Sequence, residues 1–201
     1  MPSPSSFLAR VAGAPIRPVR AAIRHWVLSA FPRAQAGSVD YDHPHGDPGW
    51  FGPDSATWRV HSDFPGMLAG GLAALTLQSL HPLALAGVWD HSNFRGDLLG
   101  RLRRTTAFVG GTTYAPSAQT EALIEHVRQI HMHITGHGED GRPYAANDPA
   151  LLTWVHVTEA YSFLQGYRRY SHVALPVGAA DRYYSEVRRI AEALGASSVP
   201  A

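Results

Sequence analysis

The chain has 201 residues, 45% of them hydrophobic, with 17 basic and 16 acidic side chains and a formal net charge of +1. That length supports one domain with its own core, and the charge balance gives no electrostatic case for nucleic acid. Cysteine and lysine are both absent, which excludes disulfides, thiolate metal sites, cysteine nucleophiles, Schiff bases and the P-loop lysine.

Residues 1–15, rich in Pro, Ser, Ala and Gly, read as a disordered lead into a single domain over 16–201. Arg10, Arg17, Arg20 and Arg24 interrupt every apolar stretch near the N-terminus, so no signal peptide is expected. The longest apolar run, 67–77, is far shorter than the ~20 residues of a spanning helix. A cytoplasmic chain is the expectation. The segment "IRPVRAAIRHWVLSAF" (16–31) has a basic amphipathic pattern. It fits a first helix packed on its own domain, or a peripheral contact with a membrane surface.

Residues 34–55 carry turn dipeptides throughout and no period, which predicts an ordered loop pinned by Trp50 and Phe51. Asp63 as N-cap and Pro65 near the first turn open a helix that runs to His81, before Pro82. A short apolar helix follows over 82–89 and another over 95–113. The next starts near Ser117 and stops at Gly136, read as its C-cap. Past the turn "GHGEDGRPYAAN", Asp148 and Pro149 announce a helix over 149–170, and a last one covers 179–194 before Gly195. No run of period-2 alternation bounded by hairpin turns occurs. The class is all-α, with about six to seven helices.

In "VRQIHMHITG" (127–136) the helical period decides which histidine faces inward. Leu123, Ile124, Val127, Ile130 and Ile134 form one apolar arc. His131 falls inside it, while His133 lies on the flank with His126. The plain reading is a core histidine bonded to backbone carbonyls. A neutral imidazole in an apolar pocket is also available to a metal, and haem iron takes one such ligand. A cluster of His126, His133 and His137 is the rival site, though no zinc-type spacing supports it.

In "RGDLLGRLRRTTAFVGGTTY" (95–114), Leu98, Leu99, Leu102, Thr106 and Val109 make the apolar face, with Arg101 and Thr105 together at its edge and Arg104 and Phe108 beyond. An exposed basic flank accounts for this pattern; so does a pair that binds a carboxylate or an iron-bound oxygen. Asp90 and His91 in "VWDHSNF", and His156, directed away from the inner face of "WVHVTEAYSF", are weaker candidates. There is no nucleophile elbow or phosphate loop.

The runs "DPGWFGPDSATWRV", "LQSLHPLALAGVWDHSNF", "GRLRRTTAFV", "VRQIHMHITG", "GRPYAANDPALLTWVHVTEAYSF" and "YRRY", in this order over about 48–195, resemble the family of latex clearing protein (rubber oxygenase) and the fungal oxygenase MpaB. The resemblance implies a globin-like core binding haem b and a haem-dependent oxygenase that uses dioxygen on a hydrophobic, lipid- or isoprenoid-like substrate. It makes His131 the proximal iron ligand. It places Arg101, Thr105 and Arg104 at the cofactor, matching an Arg-x-x-Lys-Thr pattern in which Arg104 replaces the lysine. That lysine can serve as distal ligand and arginine cannot readily do so. The rubber enzymes also have a glutamate base before this helix, and no glutamate lies between Ile16 and Arg101. Family domains continue through further helices, which implies a homodimer or a partner chain supplying them. The alternatives are a non-catalytic haem- or lipid-binding module and a shortened, inactive family member.

Overall fold

The computed structural model describes residues 46–200. The lead at 1–15, the basic amphipathic segment at 16–31 and most of the loop expected from residue 34 lie outside the described residues. Among those described, the chain forms seven α-helices, one turn of 3₁₀ helix and one two-stranded hairpin. The helices are α1 Ala56–His61, α2 Phe64–Gln78, α3 Pro82–His91, α4 Leu98–Tyr114, α5 Ser117–Met132, α6 Pro149–Tyr170 and α7 Ala179–Leu194. The helical class stands.

Most boundaries follow from capping. Asp63 accepts from the Gly66 N–H at 2.8 Å and starts α2. Asp148 accepts from the N–H groups of Ala150 and Leu151, with Pro149 in the first turn, and starts α6 at the expected residue. α4 begins at Leu98 instead of Arg95, because Asp97 takes the Gly100 N–H at 2.8 Å and leaves 93–95 as the 3₁₀ turn. α2 stops at Gln78, and the chain bends by 104° into α3. The His81 ring receives the Ala84 N–H there.

Two elements depart from the sequence reading. α1 lies where no helix was expected, and a partner far away in sequence holds it. The Glu186 carboxylate on α7 accepts from the Thr57 N–H at 2.8 Å, the Thr57 hydroxyl at 2.7 Å and the Ala56 N–H at 3.3 Å. The second departure is the end of α5, at Met132 and not at Gly136. Beyond it, β1 Thr135–His137 pairs antiparallel with β2 Pro143–Ala145, Gly136 opposite Tyr144. Gly136 is therefore a strand residue: a Cβ there would sit 2.6 Å from Tyr144 Cζ. The Tyr144 hydroxyl donates to Asp90 at 2.7 Å, and the His91 ring bonds the Thr135 carbonyl at 3.1 Å. Those two α3 residues fasten the hairpin.

α2 and α6 form the most extensive helix pair. Gly66 and Gly70 of α2 meet the α6 backbone at Tyr167 and Ser162–Phe163. The main core joins α1, α6 and α7 through Val60, Phe163, Leu164, Tyr167, Tyr183 and Val187. α4 lies over one side of that core, and Val109 packs on it.

Candidate functional site

α4 and α5 are joined by two residues, Ala115 and Pro116. They pack near that turn: Gly111 leaves room for Leu123, and the buried Thr120 hydroxyl bonds the Gly111 and Ala115 carbonyls. Arg101 and His131 sit on the arms remote from the turn. Those arms leave apolar surface uncovered, with Leu98 63% and Ile130 45% exposed. Sequence periodicity had placed both in buried stripes.

His131 and His133 lie in different surroundings. His133 is exposed, and its Nδ1 donates to the Gln129 carbonyl at 2.8 Å. His131 is partly buried, and its Nδ1 is shielded from solvent with no hydrogen-bond partner. Burial holds its pKa below the ordinary histidine range, so the ring is neutral at pH 7. His126 and His137 are exposed. Among the described residues no three His, Asp or Glu side chains converge as a metal cage, so the rival cluster is not assembled.

On α4, Arg101 is partly buried and meets no carboxylate within ion-pair distance among the described residues. Burial first, then the charge of Arg104, keeps its pKa below the usual arginine value. Thr105 is exposed and its hydroxyl donates to the Arg101 carbonyl at 3.2 Å. Arg104 points out to Asp97, 3.8 Å away, in a solvated ion pair. No hydrogen bond joins His131 to Arg101, Arg104 or Thr105. The three α4 residues share the first half of one helix, and His131 stands on the next.

A cavity of about 40 Å³ opens farther along α4, between it and α1, α6 and α7. Phe108 and Thr112 line it, and they continue the Arg101–Thr105 face at helical spacing. Three of its polar residues were not singled out as functional from the sequence: His61, Glu159 and Tyr183. His156 also lines it, contrary to the outward direction expected. The reason is that α6 is flanked on two sides, by α2 and by the α1–α7 core, so it has two inner faces. One sequence signal existed, since Glu159 is the lone acid in the 22 residues of α6.

His61 is fully engaged. Thr113 spends its hydroxyl proton on the Val109 carbonyl at 2.7 Å, so its oxygen accepts from His61 Nδ1–H at 2.7 Å. His61 Nε2 then accepts from the Tyr183 hydroxyl at 3.1 Å. Burial lowers the His61 pKa to about 3 and that of His156 to about 4. It raises Glu159 to about 7 and, together with Glu159, holds Tyr183 well above its ordinary value. Glu159 and His156 have no hydrogen bond or ion pair among the described residues.

A family model described as "ER-bound oxygenase mpaB/B'/Rubber oxygenase, catalytic domain" matches residues 58–201. The chain belongs to that family. No curated protein and no solved structure matches it.

The donor set fits the haem that the family resemblance implies. His131 offers a neutral imidazole whose accessible Nε2 has no hydrogen bond among the described residues, and Arg101 offers a partly buried cation without a counter-charge there. Iron and a propionate call for those two groups.

Proposed function

We propose that this chain is a haem-binding oxygenase domain in which His131 is the axial iron ligand and Arg101 neutralises a haem carboxylate. The observation that carries the reading is a partly buried His131 whose Nε2 is accessible and unbonded among the described residues while its Nδ1 is shielded, in a chain of an oxygenase family. Bound haem b would supply the dioxygen chemistry. Burial keeps the His131 ring neutral, as a ligand nitrogen must be. The Thr105 hydroxyl, beside Arg101, gives its proton to the Arg101 carbonyl and would have to turn away from it to donate to the cofactor. Arg104 is engaged with Asp97 in a solvated ion pair and is not offered as an iron ligand. The uncovered apolar arms of α4 and α5 suit a hydrophobic substrate. A globin-like packing of these helices about the cofactor, and a location without membrane insertion, belong to the same proposal. No single helix among the described residues is long and apolar enough to cross a membrane.

The test is the absorption spectrum of chain expressed with added haem precursor. A Soret band with one iron per chain is expected, shifted or lost in His131→Ala and unchanged in His133→Ala. Colourless wild-type protein, or an identical band in His131→Ala, overturns the assignment. Oxygen uptake with a reductant and an apolar substrate then separates an enzyme from a carrier.

A further inference from the structure

Glu159 poses a separate question. It is a carboxyl in the middle of a packed helix, lining a cavity, with nothing to bond. Glu159 is partly buried and its oxygens keep some access through the cavity, so the carboxyl is unspent and open to a ligand or water there. His156, three residues earlier on the same face of α6, lines the same cavity and is equally unpartnered. The other polar groups facing Glu159 are spent: His61 from α1 bonds Thr113 and Tyr183, and Tyr183 from α7 donates to His61. From α4 come Phe108, Val109 and the Thr112 hydroxyl, which donates to the Phe108 carbonyl at 2.9 Å. No arginine lines the cavity.

We infer that the cavity beside Glu159 and His156 is a subsite for the hydroxyl group of a neutral alcohol with an apolar tail. A hydroxyl donates once and accepts twice, and a carboxyl facing a neutral imidazole offers both kinds of partner. The size agrees: about 40 Å³ takes a small polar head and its first carbons, not a ring system. Phe108, Phe163 and Ile190 give those carbons apolar walls.

The main competitor is an ammonium head. It would need an ionised Glu159, yet burial raises that carboxyl to about 7, so near neutrality it is half protonated. Placing a cation there also strips water from two charges, at several kcal/mol each. A neutral alcohol demands no ionisation. Along α4, Phe108 lies one turn beyond Thr105 and two beyond Arg101, roughly 5 and 10 Å at the helical rise. A head group held at Glu159 therefore directs its tail toward the Arg101 end of the same face. The subsite deepens the oxygenase reading by naming the substrate class, and it rests on that reading only for calling the alcohol a substrate.

The experiment is titration calorimetry of the full chain, haem-free and haem-loaded, with 1-hexanol and with hexylamine at pH 6 and pH 8. Saturable one-to-one binding of hexanol is expected, weakened about tenfold or more in Glu159→Leu and in His156→Phe. Glu159→Gln, which keeps a donor and an acceptor, should stay within about threefold of the wild type. In the infrared, the carbonyl stretch of protonated Glu159 should shift on hexanol addition and be missing from Glu159→Leu, a readout independent of activity. Circular dichroism identifies any variant that fails to fold, and the infrared shift of the wild type then decides. Equal hexanol affinity in Glu159→Leu, hexylamine binding tighter than hexanol, or no saturable hexanol binding each overturns the inference. A missing Soret band with intact hexanol binding sinks the haem reading alone. The reverse result sinks the subsite alone.

Discussion

Glu159, His61 and His156 make the stability of the fold depend on pH in a way that can be signed. Glu159 is protonated in the folded state up to about pH 7 but ionises near 4.5 when unfolded. The folded chain thus holds one extra proton between those values, and stability falls as pH rises through the window. The two histidines act in the opposite sense. Unfolded, they take protons below about 6.5; folded, they resist until about 3 and about 4. Stability is then lost as pH drops below 6.5, and His131 adds in the same direction. At ~1.4 kcal/mol per proton and pH unit, the two strongly shifted histidines outweigh the carboxyl between pH 4.5 and 6.5. Urea unfolding should show greatest stability near pH 6.5, with the steeper fall on the acid side. Glu159→Gln should remove the fall between pH 6.5 and 7 and steepen the acid limb. An unaltered profile would show that the carboxyl ionises normally. The sequence exposed part of this set. The helical period turned His131 inward and His133 outward, because α5 has one apolar stripe. The same reasoning failed for His156, because α6 is covered on two sides and its period cannot say which.

At the scale of elements, the α2–α6 seam shows how two glycines one position apart carry opposite consequences. A Cβ on Gly70 would come within 2.6 Å of the Ser162 carbonyl oxygen and 2.8 Å of Phe163 Cα, both backbone atoms that cannot step aside. A Cβ on Gly71 would meet only Phe163 Cε1, at an ordinary 3.7 Å. Gly70→Ala must push the helices apart and should destabilise by about 1–3 kcal/mol. Gly71→Ala should stabilise by up to ~1 kcal/mol through helix propensity alone. Denaturant unfolding of the two variants side by side checks this, and similar midpoints would show that the seam is looser than drawn. The seam was not legible beforehand, since "MLAGGLAALTL" reads as apolar all round. Helix starts were legible at Asp63 and Asp148, where a capping aspartate is followed by a proline in the first turn, but not at Asp97, where the start was read three residues early. α1 was not legible, although Ser55 caps it by accepting from the Trp58 N–H at 3.0 Å, because six residues are too few to show a helical period and the other N–H partners come from Glu186, 129 positions from Thr57. Nor was the hairpin, whose three-residue strands are too short to display an alternation.

For the whole molecule, the sequence disclosed the class and the order of helices but not which surfaces stay uncovered. The stripes that should have buried Leu98, Leu99 and Ile130 reach beyond the core, because α4 and α5 pack near their shared turn while Leu98, Leu99 and Ile130 lie on the arms away from it. The four ion pairs among the described residues are solvated, so electrostatics does little to hold those arms. A cofactor seated between His131 and Arg101 would do so, and its effect on stability follows from mass action. A ligand that binds only the folded chain adds about 2.7 kcal/mol when its free concentration is a hundredfold above Kd. Thermal unfolding should therefore move upward with haem concentration in the wild type and respond weakly in His131→Ala. Arg101→Leu should keep the response but need more haem to reach it, since the carboxylate contact is lost while the axial nitrogen remains. Uniform stabilisation of all three proteins by haem would mean nonspecific adsorption on the exposed leucines and isoleucine, and would remove His131 from the site.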